Sequence, residues 1–157
     1  RQRQMCIRDR RKLWLDRAAR LVHGAAREFT VEGPHGLPVL KGQGGGDAGL
    51  FTGILARYLG EAASSSQLEP TARMTARALV AATADALWDG RREFDPDVDF
   101  SRPGVTAQTV DHETVAVFSP EPSRHANDTQ RTGAPVELST QVQAWTVLEA
   151  AALSADR

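Results

Sequence analysis

Apolar residues recur at helical spacing in four separate stretches of the chain. Residues three or four positions apart share one face of a helix, so this spacing, with charged residues between, predicts amphipathic helices. In the first stretch the apolar stripe consists of Leu15, Ala18, Val22, Ala25 and Phe29. The stretches cover residues 11–29, 48–63, 70–89 and 137–153. The pattern therefore predicts an all-α fold of about four helices.

The connections between these stretches are rich in proline and glycine. Residues 31–43 contain closely spaced glycines and prolines, so we expect a loop without regular structure there. Residues 91–135 form the longest stretch without helical period, a long irregular loop before the last helix. Loops of this length are typical of functional or disordered segments. Within it, residues 115–118 could form one short strand or hairpin arm.

A glycine run precedes the second predicted helix and ends in an acid. Glycine reaches backbone conformations closed to other residues and aspartate is a favoured N-cap, so backbone N–H groups and the Asp47 carboxylate would be presented together at a helix start. This arrangement is typical of a binding loop, with the bulky Phe51 beside it. The alternative is a linker that happens to precede a helix. The candidate binding residues are Gly44, Gly45, Gly46, Asp47 and Phe51.

Composition and charge exclude some classes of partner. The 157 residues are 41% hydrophobic and 25% charged, close to ordinary globular usage, and suit one domain rather than two. A formal net charge of -1 gives no reason to expect nucleic acid or an anionic membrane as a partner. No apolar run approaches the ~20 residues that span a bilayer. Cys6 is the only cysteine, which leaves no disulfide framework and no thiolate metal site.

The first ten residues differ in character from the rest. They are basic and lack an amphipathic period, and they look like translated adapter sequence left at the end of an assembled read. We expect residues 1–10 to be a non-native or disordered tail and residues 11–157 to form the folded unit, with a short native basic tail as the alternative. No secretory signal is visible, so either the protein is cytoplasmic or its true N-terminus is missing.

Three motif-like patterns lack residues that their chemistry needs. Residues 44–49 match the Gly-x-Gly-x-x-Gly dinucleotide fingerprint, but no buried strand or βαβ unit surrounds them. The acidic run at residues 95–99 resembles a calcium loop, yet Phe100 and Thr106 stand where glycine and glutamate are required. The histidines show no paired spacing for zinc. We expect no cofactor and no metal.

Aromatic and acidic residues give no catalytic constellation. Trp14, Trp88 and Trp145 lie on three different predicted helices, and we expect them in the core, although tryptophan is also the usual sugar-stacking platform. Glycoside hydrolysis generally needs two carboxyls. The chain has 20 acidic residues, but no two are adjacent and no helix presents an obvious converging pair. No catalytic residue is therefore assigned in this chain.

The order of these elements is similar to the C-terminal part of glycoside hydrolase family 76, the endo-α-1,6-mannanase family. The similarity covers most of the chain from Leu13 to Leu153. The loop-plus-helix motif is its more specific part, and the last helix supports it. The matching residues are Gly45-Gly46-Asp47, Leu50-Phe51, Gly53-Ile54, Arg57-Tyr58-Leu59, Ser139-Thr140-Gln141, Gln143-Ala144 and Glu149-Ala150-Ala151.

The resemblance implies part of an (α/α)6 barrel with a substrate groove formed by loops at one end. It also implies retaining cleavage of α-1,6-mannan by a consecutive Asp-Asp pair. This chain has no Asp-Asp, consistent with a pair upstream of Arg11, and Thr52 stands where the family commonly has Lys. The expectation is a fragment of a mannan hydrolase that is inactive alone, with Gly44 to Asp47 lining the groove, carbohydrate as the partner and the rest of the barrel missing. An extracellular or periplasmic location is compatible with the resemblance.

Two alternatives stay open at this point. The chain could belong to another six-hairpin sugar enzyme, such as an epimerase or an unsaturated-glucuronyl hydrolase, which shares helical hairpins but uses other catalytic residues. It could also be a stand-alone helical binding module. A barrel fragment differs from a module in exposing apolar surface where the missing helices would pack.

Overall fold

The structure of the protein is a computed structural model that describes residues 2–94, 115–130 and 136–155. Most of these residues are helical, which confirms the predicted all-α class. The four predicted helices are present, together with one additional helical turn before the last of them. The α-helices are α1 (Gln2–Glu28), α2 (Phe51–Ser64), α3 (Pro70–Asp89), α4 (Ala126–Thr129) and α5 (Leu138–Ala155).

Helix boundaries agree best where the sequence carries a start signal. α3 begins at Pro70, as predicted, because proline in the first turn gives up no helical hydrogen bond. α1 differs from the prediction, since it begins at Gln2 rather than near Arg11. Extending a helix is much easier than nucleating one, so residues without an apolar stripe can continue it. The assignment of residues 1–10 to a tail separate from the folded unit stays a prediction.

The segment before the glycine run forms a β-hairpin. β1 (Thr30–Glu32) pairs antiparallel with β2 (Pro38–Leu40), so the prediction that residues 31–43 hold no regular structure is wrong. Gly36 adopts a left-handed backbone (φ 71°) in the connecting turn. Pro38 is compatible with the hairpin because it is the first residue of its strand.

A second short hairpin follows α3. β3 (Arg92–Phe94) pairs antiparallel with β4 (Val115–Val117), which confirms the short strand predicted there. Residues 95–114, including the acidic run that resembles a calcium loop, lie outside the described residues.

The seam between α2 and α5 consists of small residues. A Cβ added to Gly53 would lie 3.1 Å from the backbone of Gln143, and one added to Gly60 would lie 3.2 Å from the carbonyl oxygen of Ala150. Ala56, between the two glycines, is fully buried. Because the facing residues advance in the same order, the two helices run parallel. Two backbones can approach this closely only where side chains are absent or small.

α1 and α3 run in the opposite direction to α2 and α5. Lys41 donates through its ammonium to the Glu28 carbonyl oxygen at the end of α1 and accepts from Thr52 in the first turn of α2. The adjacent Leu40 N–H donates to Thr83 in the C-terminal half of α3. The connections that join the C-terminal ends of α1 and α3 to the N-terminal ends of α2 and α5 therefore gather at one end of the helices. We call this end the loop end; its described residues are 29–50, 90–94, 115–130 and 136–137.

The first hairpin is fastened to α3 by a buried hydroxyl. The Leu40 N–H donates to Thr83 Oγ1 at 3.0 Å, and that hydroxyl donates to the Leu79 carbonyl oxygen at 2.7 Å. All three residues are buried. One threonine therefore satisfies a strand N–H that would otherwise be unpaired in the core.

Several large apolar side chains lie on the surface of the described residues. The prediction that the tryptophans belong to the core is wrong, because Trp14, Trp88 and Trp145 are 58%, 49% and 70% exposed. Tyr58 of α2 and Leu138 of α5 are also exposed. Apolar periodicity shows which face of a helix is apolar. It does not show whether the described residues supply another element that covers that face. In the described residues, no helix is long and apolar enough to cross a membrane.

Candidate functional site

The glycine loop, residues 41–47, connects β2 to α2 at the loop end. Gly44 and Gly46 have left-handed backbones, with φ of 95° and 60°, in which any side chain would be strained. A 3-10 helix over Gly46–Leu50 follows and leads directly into α2. The predicted glycine-rich loop at a helix start is therefore present, with a tighter turn of helix inserted before α2.

The predicted capping role of Asp47 is wrong. Asp47 lies in the first turn of the 3-10 helix, and the capping position of that helix is Gly45. α2 begins at Phe51 rather than at residue 48, and Leu50 precedes it without a side-chain cap. A carboxylate must sit one residue before the helix to accept from its first N–H groups, and the inserted turn moves Asp47 away from that position.

The five predicted binding residues lie close together in the chain at the loop end. Gly44, Gly45, Gly46 and Asp47 are all exposed, and Phe51 is 56% exposed at the first turn of α2. The segment thus presents glycine backbone, a carboxylate and an aromatic ring to the surroundings. Their role in binding stays a prediction.

Glu137 is a residue of this site that the sequence reasoning missed. Its Oε2 accepts a hydrogen bond of 2.8 Å from the Gly46 N–H, and its carboxylate lies where a Cβ on Gly45 would be. Glu137 immediately precedes α5 and is exposed. Its only sequence signal is an acid at a helix start, which does not show that the glycine run lies beside it.

The base of the glycine loop is held by α1 and α2. The Lys41 N–H donates to the Phe29 carbonyl oxygen at 3.0 Å, and the Lys41 ammonium donates to the Glu28 carbonyl oxygen at 2.9 Å. The hydroxyl of the buried Thr52 donates to the Lys41 carbonyl oxygen at 2.6 Å. The loop therefore has a fixed base, while its glycine tip is exposed.

A second segment, residues 118–122, lies against the glycine loop. A Cβ on Gly42 would overlap the Pro120 carbonyl oxygen and come within 3.0 Å of the Glu121 Cα. The two segments thus touch backbone to backbone. This contact joins parts of the chain that are far apart in sequence, and no short-range pattern indicates it.

These groups suit hydrogen bonding to a polyhydroxylated ligand. Carboxylates such as Asp47 accept hydrogen bonds from hydroxyls, and the exposed ring of Phe51 offers an apolar surface to a sugar. One carboxylate, Glu137, is already partly engaged by the loop itself. In the ranges that the structure describes, no group of three or more His, Cys, Asp or Glu residues is arranged to hold a metal.

Three cavities border the helices and the first hairpin, apart from the glycine loop. A polar cleft of about 580 Å³ lies between α2 and α5, and an apolar groove of about 510 Å³ lies between α1 and α2. A smaller cavity of about 320 Å³ separates the first hairpin from α3. Lining residues include Arg57, Glu61 and Glu149 in the cleft, Leu21, Phe29 and Tyr58 in the groove, and His35, Asp85 and Asp89 in the smaller cavity.

The pair His35 and Asp89 at the smaller cavity is a surface feature. His35 Nε2 lies 3.0 Å from Asp89 Oδ2, and both side chains are more than half exposed. Exposed pairs of this kind contribute little because water screens them. The pair connects the hairpin turn to the end of α3 and is not part of the glycine loop.

Comparison with solved structures finds α-1,6-mannanases of glycoside hydrolase family 76. The chain is similar to the family 76 α-1,6-mannanase from Salegentibacter sp. HEL1_6, with 26% sequence identity and a TM-score of 0.62 over 90% of this chain and 33% of the mannanase. It is equally similar to an inactive variant of that enzyme, with two aspartates replaced by alanine, in complex with α-1,6-mannotetrose; 91% of this chain and 34% of the variant are covered.

The chain spans about a third of the length of these enzymes. No family model matches the chain, and no curated protein is significantly similar to it. The resemblance to family 76 and the predicted fold class, an all-α part of the family barrel, are confirmed by the solved structures. The structural neighbours are glycoside hydrolases.

Proposed function

We propose that this chain is part of a retaining glycoside hydrolase that acts on α-1,6-linked mannan, in which it supplies part of the barrel and one wall of the substrate groove. The observation that carries the proposal is the match of 90% of the chain to a family 76 α-1,6-mannanase at a TM-score of 0.62. The sequence identity of 26% extends the likeness beyond the fold alone.

The glycine loop forms the wall in this proposal. The exposed Asp47 carboxylate accepts from mannose hydroxyls, and Phe51 packs against an apolar sugar face. The fixed base at Lys41 and the hydrogen bond from Gly46 to Glu137 support this role, because a preorganised loop loses less entropy when a ligand binds.

The catalytic carboxylates lie outside this chain in the proposal. The chain contains no Asp-Asp dipeptide. Replacing two aspartates inactivates the similar mannanase. Retaining hydrolysis requires two carboxyl groups about 5 Å apart, one as nucleophile and one as acid and base. We therefore expect the 157-residue chain to bind carbohydrate weakly and to hydrolyse none.

The exposed apolar surface also supports a fragment rather than a stand-alone module. Trp145 and Leu138 on α5 and Tyr58 on α2 lie on faces that the described residues leave open. The apolar groove between α1 and α2 is a further apolar surface open to a neighbour. In the proposal, the remaining part of the barrel covers these surfaces.

The test compares the complete protein that carries this chain with its Asp47→Ala variant. We expect the complete protein to release manno-oligosaccharides from α-1,6-mannan, and Asp47→Ala to weaken binding of α-1,6-mannotetrose with the unfolding free energy within about 0.5 kcal/mol of wild type. Asp16→Ala, an exposed acid on α1, is the matched control and should change neither. The proposal fails if the complete protein leaves α-1,6-mannan intact.

A second measurement separates a barrel fragment from a module. On size-exclusion chromatography the isolated 157-residue chain should elute as aggregates, because its open apolar faces associate. A monomer that unfolds cooperatively and binds mannan without the rest of the protein would favour a stand-alone binding module instead.

A further inference from the structure

We propose that Gln141 and Gln143 clamp residues 118–120 against the glycine loop, so that residues 118–122 form a second wall of the carbohydrate groove. This inference rests on the proposed function and adds a second binding segment to it. Both glutamines act on the ligand through the segment that they hold, so they are positioning residues.

The first arm of the clamp is Gln141. Its Oε1 accepts from the Phe118 N–H at 2.9 Å, and its Nε2 donates to the Phe118 carbonyl oxygen at 3.2 Å. Phe118 directly follows β4, so the side-chain amide occupies the position of a neighbouring strand. Because both main-chain groups of one residue are bound, the segment is fixed in position and in direction.

The second arm is Gln143, which is only 1% exposed. Its Nε2 lies 3.4 Å from the Pro120 carbonyl oxygen, while its Oε1 is buried without a hydrogen-bond partner in the described residues. A buried unpaired oxygen is costly, and an apolar side chain of equal size would avoid that cost. Core stability alone therefore does not favour glutamine here, whereas contact with the Pro120 carbonyl does.

The clamped segment is braced within itself. Ser119 Oγ donates to the Glu121 carbonyl oxygen at 2.8 Å, and Thr129 Oγ1 donates to Ser119 Oγ at 3.0 Å. Ser119 is buried. One buried hydroxyl therefore links the segment's own backbone to α4.

The segment contacts the glycine loop directly at Gly42, so a shift of the segment would also shift the loop. The Gly42 Cα packs directly on the Pro120 carbonyl, with no side chain between the two backbones. Next to this contact the segment presents the Glu121 carboxylate, whose Oε2 lies 3.5 Å from Nη1 of the neighbouring Arg124, and both side chains are about half exposed. Planar charged side chains beside a rigid backbone are suitable partners for sugar hydroxyls.

The test uses Gln141→Met and Gln143→Met in the complete protein, with Gln67→Met at the opposite end of the helices as the matched control. We expect exchange of the Phe118 amide hydrogen to become about tenfold faster in Gln141→Met, the factor that corresponds to about 1.4 kcal/mol for a lost hydrogen bond. The affinity for α-1,6-mannotetrose should fall about three- to tenfold in both variants. Gln143→Met should unfold at about the same temperature, because it removes the unpaired oxygen and also the donor to the Pro120 carbonyl.

If the two glutamines served only the stability of the fold, their methionine variants would be less stable and would bind mannotetrose with unchanged affinity. Unchanged exchange of Phe118 in Gln141→Met overturns the clamp, and faster exchange with unchanged affinity overturns the second wall. If Gln141→Met does not fold, Gln141→Glu keeps the acceptor for the Phe118 N–H, repels its carbonyl and carries the same test. If the wild type binds no mannotetrose, the proposed function and the second wall both fail, while Phe118 exchange alone still decides the clamp.

Discussion

Glu137 Oε2 accepts a hydrogen bond of 2.8 Å from the Gly46 N–H across 91 positions of sequence. The bond joins the start of α5 to the exposed tip of the glycine loop. Gly45 packs directly on the same carboxylate, which its lack of a side chain permits. The glycine run is therefore shaped by a residue from the far end of the chain.

Replacing Glu137 by alanine should loosen the glycine loop. We expect faster exchange of the Gly46 amide and a loss of about 0.5–1 kcal/mol in unfolding free energy, small because the bond is exposed to solvent. Hydrogen exchange and thermal unfolding measure the two effects. Glu149→Ala, the same change further along α5, should leave Gly46 unchanged, and equal exchange rates in the two variants would contradict the assignment.

Adding one methyl group should have opposite effects at two helical glycines. Gly53→Ala should destabilise the protein by about 1–3 kcal/mol, because the new Cβ would meet the backbone of Gln143, which cannot move without shifting α5. Gly24→Ala has open space around its Cβ and should stabilise α1 by about 0.5–1 kcal/mol. Denaturant unfolding of both variants checks the prediction, and effects of the same sign would refute it.

Removing the Thr83 hydroxyl should release the first hairpin from α3. Thr83→Val keeps the shape of the side chain but leaves the buried Leu40 N–H unpaired, at a cost of about 1–3 kcal/mol. Thr83→Ser keeps the hydroxyl and should cost only about 1 kcal/mol for the lost methyl group. A valine variant as stable as the serine variant would show that the hydrogen bond contributes nothing net.

The contact between α1 and the start of α3 should depend on pH. Hydrogen bonds from His23 and then from the Thr71 hydroxyl lower the pKa of the Glu69 carboxyl below its ordinary value. A carboxyl whose pKa is lower in the folded state contributes stability above its unfolded pKa, and this contribution is lost as the pH falls through the folded pKa.

We therefore expect wild type to unfold at a higher temperature than Glu69→Gln near pH 6. The difference between the two unfolding temperatures should decrease as the solution is acidified below about pH 4. Thermal unfolding at several pH values measures this difference. When both proteins also carry His23→Ala, this difference should change less with pH, because the largest cause of the lowered Glu69 pKa is removed. A difference in unfolding temperature that increases on acidification would contradict a lowered pKa of Glu69 in the folded state.

Short-range patterns were enough for the helices and for the glycine loop. Apolar spacing of three and four placed α2, α3 and α5 to within a few residues, and Pro70 marked the start of α3, because these signals act within one or two turns. The loop was recognisable because only glycine tolerates the left-handed backbone found at Gly44 and Gly46.

Longer-range contacts decided what the loop can do. Asp47 lost its capping role because a 3-10 turn separates it from α2, and Glu137 gained a role because parallel packing of α2 and α5 brings it to Gly46. Gln141 and Gln143 belong to the residues that carry the family resemblance, but their contacts with residues 118–120 are visible only in the structure.

Helix-forming patterns are local in sequence, so they can be read one segment at a time, and here they also carried the resemblance to a family of mannanases. A binding site is assembled from hydrogen bonds between segments tens of residues apart, and no local pattern encodes which segments meet. In this protein the small-residue seam between α2 and α5 determines which segments meet, because it holds the two helices parallel and in one register.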